Sequence, residues 1–239
     1  MNFDIVKEKK VLITGGTGFI AGWIIKQLVE AGVSVHATVR DTNDNDKVGH
    51  LLKLSKKGPG EVIIFKANLL EPGSFDTAMS GCNIVFHTAS PFLFKFNDPV
   101  KDLIKPAFEG TKNVLETVNF TDSVERVVLT SSCAAIYGDN DECEHAPNNT
   151  LTEAIWNNTS SPSHNPYSYS KTIAEREAWK LADAQKRWSL VVINPPVVLG
   201  PTVSGKSTSA SHDMCLQLGD GTMKSGAPPI EVGMVDVRD

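Results

Sequence analysis

Clustered cysteine and histidine, an excess of basic charge and long apolar runs are all missing from this 239-residue sequence. Each absence removes a class of function. The four cysteines, Cys82, Cys133, Cys143 and Cys215, form no C-x-x-C pair and no metal-ligand spacing. A reduced, intracellular protein is therefore expected. The six histidines show neither H-x-H nor H-E-x-x-H, so no metal site is expected. The formal net charge is −5, and the Lys and Arg residues are dispersed, which leaves no footprint for nucleic acid. The N-terminus, MNFDIVKEKK, is too polar for a signal peptide, and no apolar run approaches the roughly 20 residues of a membrane span. The expectation is a cytoplasmic protein, monomer or homodimer, with no nucleic-acid and no membrane partner. Its composition, 41% hydrophobic and 21% charged, is ordinary for a globular chain. The length suffices for one α/β domain and part of a second.

Short apolar runs alternate with helical periodicity along the chain. Strands are expected at Val11–Thr14, Val33–Val39, Val62–Phe65, Asn83–His87, Arg126–Thr130 and Trp188–Ile193. Helices are expected near Gly18–Ala31, Val48–Ser55, Ser74–Met79, Leu103–Asn119 and Tyr167–Gln185. In the first helix Phe19, Ile20, Ile24, Leu28 and Ala31 recur at helical spacing, and Gly32 caps its end. This alternation predicts right-handed βαβ units, that is, a doubly wound parallel sheet of the Rossmann kind. Asp139–Pro166 reads as a long polar loop of functional character. Residues 1–198 form the expected nucleotide-binding domain. The tail 199–239 is read as the start of a substrate-binding lobe, incomplete because the pattern has not closed at Asp239.

The turn after the first strand, Thr14-Gly-Gly-Thr-Gly-Phe-Ile-Ala21, has the spacing G-x-x-G-x-x-A. Gly15, Thr17 and Gly18 would let the backbone approach a pyrophosphate, and Phe19 and Ile20 would present N–H groups at the helix N-terminus. The flanking strand and helix are the context such a motif requires. The second strand ends in Arg40 and Asp41. Arg40 offers a planar fork of donors suited to a 2′-phosphate, and Lys47 stands where it could close over the same group. NADP(H) is the expected cofactor, with Asp41 left as the residue that could take the NAD-type role.

Tyr167-Ser-Tyr-Ser-Lys171 is Y-x-x-x-K, which places both side chains on one face of a helix. The ammonium is expected to lower the phenol pKa and ready it for proton exchange. Tyr169 has the wrong spacing to Lys171. The fifth strand ends in Thr130-Ser-Ser-Cys133, where Ser132 is the preferred partner for a substrate oxygen, with Ser131 and Cys133 as rivals.

Together these motifs resemble the extended short-chain dehydrogenase/reductases, and within them the branch of dihydroflavonol, cinnamoyl-CoA and methylglyoxal or carbonyl reductases. Further stretches carry the likeness: Val85–Pro91, Glu109–Leu115 and Pro195 through Pro201. The resemblance implies that Arg40 and Lys47 grip the 2′-phosphate. It places Asn68 and Leu69 beside the adenine, with Asn68 standing for an Asp. It places Ala89 and Ser90 along the nicotinamide-side ribose, Pro195 near the nicotinamide, and Ser132, Tyr167 and Lys171 as the catalytic set. Lys171 would also hydrogen-bond that ribose. Tyr137 occupies the position of an Asn that reads the ring in flavonoid reductases, which points away from a flavonoid. The implied activity is NADPH-dependent reduction of a small carbonyl compound. The alternatives are a nucleotide-sugar epimerase or dehydratase holding NAD, and a non-catalytic NADP-binding regulatory protein.

Overall fold

The computed structural model describes residues 8–91, 97–139, 141–205, 209–226 and 232–239, so most of the N-terminal stretch read above for a signal peptide lies outside them. Among the described residues eight strands are present: β1 Lys10–Thr14, β2 Ser34–Val39, β3 Glu61–Lys66, β4 Ile84–His87, β5 Arg126–Thr130, β6 Ser189–Ile193, β7 Val197–Leu199 and β8 Met234–Asp236. The helices are α1 Phe19–Glu30, α2 Asn45–Ser55, α3 Asp76–Met79, α4 Lys105–Phe120, α5 Glu142–His145, α6 Pro166–Asp183 and α7 Ala210–Gly219.

The first six strands form one all-parallel sheet in the order β3-β2-β1-β4-β5-β6. All six expected strands are therefore found. Strand β1 shows why the sheet is covered on both sides. Val11 and Ile13 point into a core shared with α1 and α2, and Leu12 points the other way, into a core with α3, α4 and Trp188. Alternate residues of a strand face opposite layers, and a strand buried on both faces must be apolar at every position. Each such aliphatic side chain contributes roughly 1.5–3 kcal/mol on burial.

Helix α1 does not bury all the apolar residues whose spacing marks it in the sequence. Its most deeply buried residues are Ala21, Gly22, Ile25, Leu28 and Val29, whereas Phe19, Ile20 and Ile24 are only partly covered. Periodicity alone left two apolar stripes to choose from, and packing against β1 and β2 selected the one through Ile25 and Val29. Gly32 follows the helix with φ of +88°, as a glycine after a helix end does.

The polar segment after β5 is less structureless than expected. It contains α5, a 3-10 turn at Pro147–Asn149 and an isolated bridge between Ser161 and His164. In the tail, β7 pairs in parallel with β8, so the expected boundary at residue 198 falls inside β7.

Strand order reverses between β1 and β4, whose chains leave the sheet in opposite directions. Such a switch point opens a crevice at the carboxyl ends of the strands. The candidate residues collect there.

Candidate active site

The floor of the crevice is the turn after β1. Gly15 has φ of +69°, and a Cβ there would lie 3.1 Å from the Cα of Ala89. A side chain at this point would be strained by the backbone and crowded by the strand beside it. Gly18 is the N-cap of α1 and has no side chain to cap the helix, so the first-turn N–H groups of Phe19 and Ile20 face outward uncapped. Unsatisfied donors at a helix N-terminus suit an anion. Thr17, Gly18, Phe19 and Gly22 line a small cleft with His50 of α2 and Val203 from the loop after β7. The last two carried no sequence signal, because their relation to the turn is purely tertiary.

Arg40 follows the last residue of β2 and is exposed. Among the described residues its guanidinium makes no hydrogen bond or ion pair. Lys47, in the first turn of α2, is also exposed, but its Nζ lies 2.7 Å from Asp44 Oδ2. Asp44 caps α2 by accepting from the Lys47 N–H. After β3, Asn68 is exposed and its Oδ1 accepts from the Leu70 N–H at 3.2 Å, while Leu69 packs against the core. Ala89 and Ser90 follow β4, and the Ala89 N–H donates to Thr14 Oγ1 at 3.1 Å.

On the other side of the switch point stand the catalytic candidates. Ser132 follows β5 as the N-cap of a 3-10 turn, Cys133–Ala135, with its hydroxyl accepting from the Ala134 N–H. Tyr167 and Lys171 lie one turn apart at the start of α6, where Pro166 occupies the first turn. Lys171 Nζ is 5.9 Å from the centre of the Tyr167 ring, and Ser132 hydrogen-bonds the Tyr167 hydroxyl. Of the three rivals, Ser131 turns away and donates to Glu175, and Cys133 Sγ lies 3.7 Å from the Tyr137 hydroxyl. Only Ser132 meets the Tyr167 hydroxyl. Pro195, after β6, joins the same cluster, since its C=O accepts the Cys133 N–H at 3.1 Å.

The electrostatics correct one expectation. Burial pushes the Tyr167 hydroxyl up to about 12, and the Ser132 hydrogen bond offsets this only in part. Lys171, itself buried, is driven down to about 8 by desolvation, with Glu175 pulling the other way. The lysine therefore does not create a ready phenolate. It is a cation whose own charge is costly in a dry site, and removing solvent from the phenol dominates. Nearby, His87 at the end of β4 is fully buried between Thr14 Oγ1 at 2.8 Å and Thr111 Oγ1 at 3.3 Å. Its ring is pushed down to about 3 by burial and then by Lys171. His87, Thr111 and Glu175 were not singled out in the sequence, although Glu175 stands one helical turn beyond Lys171.

The fold, the glycine turn and the Tyr–Lys helix are joined by a sequence-wide likeness: the family described as NAD dependent epimerase/dehydratase matches residues 11–232. The chain belongs to that family. A cinnamoyl-CoA reductase of Medicago truncatula is 41% identical to this family member over 233 residues, covering 96% of this chain and 69% of the relative. An anthocyanidin reductase of Arabidopsis thaliana is 39% identical over 198 residues, 81% of this chain and 56% of the relative. Among solved structures, Gre2 of Candida albicans in complex with NADPH is 34% identical with a TM-score of 0.77, covering 96% of this chain and 71% of the other. Yeast methylglyoxal/isovaleraldehyde reductase Gre2 complexed with NADPH reaches a TM-score of 0.82 at 29% identity, with 96% and 71% coverage. The chain spans about two thirds of the length of the curated relatives it matches, 64% of one from Ginkgo biloba. The expected resemblance to extended short-chain reductases is thus met. Among the described residues no group of His, Cys, Asp or Glu could hold a metal ion, and no helix is long and apolar enough to cross a membrane.

Proposed function

We propose that this chain binds NADPH across the β1–β4 switch point and supports reduction of a carbonyl compound to an alcohol. The observation that carries the reading is the meeting of Ser132 with Tyr167, and of Tyr167 with Lys171, at the mouth of a crevice floored by the glycine turn. The residues present fit the cofactor. A bare backbone at Gly15 and uncapped N–H groups at Phe19 and Ile20 suit a pyrophosphate. The unpaired fork of Arg40 suits a 2′-phosphate, with Lys47 available if it exchanges Asp44 for that group. Asn68 and Leu69 would flank the adenine, and Ala89, Ser90 and Pro195 the nicotinamide half.

Bound NADPH supplies the hydride. Tyr167 donates its proton to the developing alkoxide, and Ser132 orients that oxygen by a hydrogen bond aimed where charge appears. A phenol with a pKa of about 12 is fully protonated at neutral pH, which is the state a proton donor needs. Lys171 would hold the nicotinamide ribose, and its ammonium stabilises the phenolate left after donation. Because its ammonium is lost above pH 8 or so, turnover is expected to decline as pH rises through that value. The names of the relatives favour aldehydes and ketones, which give an alcohol, or aryl-CoA thioesters, which take one hydride and leave as an aldehyde and the free thiol. Arg40 at the end of β2 weighs against the NAD-dependent nucleotide-sugar reading.

The test is direct titration with NADPH and NADH, followed by NADPH absorbance with a panel of those three carbonyl classes. Binding of NADPH at least about tenfold tighter than NADH is expected, as one charge-assisted contact provides. Equal or absent binding ends the proposal.

A further inference from the structure

Glu175 is a buried carboxylate, 7% exposed, that the mechanism above does not use. Burying a carboxylate is costly unless its lone pairs are satisfied. Here they are satisfied by side chains from three parts of the chain. Ser131 Oγ, from the turn after β5, donates to Oε2. Asn194 Nδ2, from the segment after β6, donates to the same oxygen at 2.8 Å. Trp179 Nε1, one turn along α6, donates to Oε1 at 3.4 Å. Asn194 Nδ2 also reaches the Ser132 C=O at 3.1 Å. Ser131 and Asn194 each precede a site residue, Ser132 and Pro195. The two segments also touch through backbone bonds at the sheet end, Ser131 N–H to Ile193 C=O and Cys133 N–H to Pro195 C=O.

We propose that Glu175 is the positioning residue of this site, its buried carboxylate joining the turn that carries Ser132 and the segment that carries Pro195 to the helix that carries Tyr167 and Lys171. This rests on the catalytic reading above, and extends it to a residue that touches neither substrate nor cofactor. One carboxylate oxygen, Oε2, takes both bonds from the other segments and so ties the turn before Ser132 to the segment before Pro195, while Oε1 is held by Trp179 of the same helix. An amide of the same shape would keep an oxygen for Ser131 and Asn194, but would lose the charge that strengthens both bonds and the acceptor that faces Trp179. The negative charge has a second consequence. Lys171 lies one turn earlier on α6, and Glu175 favours its ammonium against the burial that opposes it. The other titratable groups near Lys171 are Tyr167 on its own helix and His87 at the end of β4, and both are neutral near pH 7.

The test uses the chain itself, labelled with carbon-13 at lysine Cε, with Lys171 assigned by its loss in Lys171→Met. In Glu175→Gln the Lys171 titration midpoint falls by about one unit, the effect of removing a nearby opposite charge. Amide exchange speeds up about tenfold in residues 130–135 and 193–196, as weakening of two charge-assisted hydrogen bonds allows, while β1–β3 keep their rates. In Glu175→Asp the charge stays but the reach is lost: the midpoint holds near that of the parent chain and exchange still accelerates. An unmoved midpoint in Glu175→Gln, or acceleration spread equally over β1–β3, overturns the proposal. Should Glu175→Gln not fold, Ser131→Ala and Asn194→Ala carry the exchange prediction, and unchanged rates in both overturn it. NADPH binding by the parent chain is measured alongside. No binding removes the catalytic reading and leaves the clamp standing; binding with an unmoved Lys171 removes the clamp alone.

Discussion

The two halves of the crevice are built on opposite principles. On the β1–β3 side the candidate contacts are backbone N–H groups and exposed cations, Arg40 and Lys47, standing on a core whose buried residues are all aliphatic. On the β4–β6 side the candidate contacts Ser132 and Lys171 are buried polar side chains, set among further buried polar groups, His87 and Glu175. A cofactor phosphate can be held from water by geometry and screened charge. Proton transfer needs groups whose protonation is displaced, and only burial displaces it by several units. The difference explains why the strongly shifted groups near the crevice, Tyr167, Lys171 and His87, lie on one side of the switch point.

The sharpest way to break this division is at Tyr167. In a form of the protein that turns over, Tyr167→Phe should lower kcat about a thousandfold, the scale of lost acid catalysis, and leave NADPH affinity within about twofold. Comparable turnover in the variant would mean the buried side is not the chemical side.

The next effect is on stability. His87 normally titrates near 6.5 and is held at about 3 in the fold. Below pH 6.5 the unfolded chain takes up a proton that the folded chain refuses. Its contribution to stability is thus complete above pH 6.5 and is lost as pH falls toward 3, on the order of a few kcal/mol. Denaturant unfolding from pH 7 to 4 should show a steeper decline for the parent chain than for His87→Gln. Parallel curves would show that the ring is not sealed.

A smaller effect belongs to the exposed side. Arg40→Ala should weaken NADPH about tenfold to hundredfold, the range of a charge-assisted bidentate contact, with NADH nearly unaffected in the same titration. The smallest is Lys47→Ala, expected to cost about threefold in NADPH affinity. An exposed cation is worth little, and this one must first leave Asp44. If Lys47→Ala cost more than Arg40→Ala, the ranking of geometry over charge on this side would be reversed.

Much of the framework was legible because its signals are local. Six parallel strands announce themselves as short apolar runs, because strands of a parallel sheet are covered on one or both faces by helices and carry mostly apolar residues. The glycine turn is legible because positive φ at Gly15 and close approach to Ala89 leave no room for another residue. The Tyr167–Lys171 spacing is legible because one helical turn is four residues. Less local features were not legible. Periodicity marks α1 as a helix without saying which apolar residues are most covered, and packing buries Ile25, Leu28 and Val29 while leaving Phe19, Ile20 and Ile24 only partly covered.

What the amino-acid order determined by itself, then, is the parallel sheet, the phosphate turn and the pairing of a phenol with an amine on one helix. Tertiary structure alone decided that Ser132 and not Ser131 meets that phenol, that Lys171 lies among groups that make its charge costly, and that Glu175 gathers three segments into one mouth. The reason is that hydrogen bonding along a helix or strand is a short-range property of the chain. Desolvation is a property of everything packed around a group, and it exists only once the distant segments have closed over it.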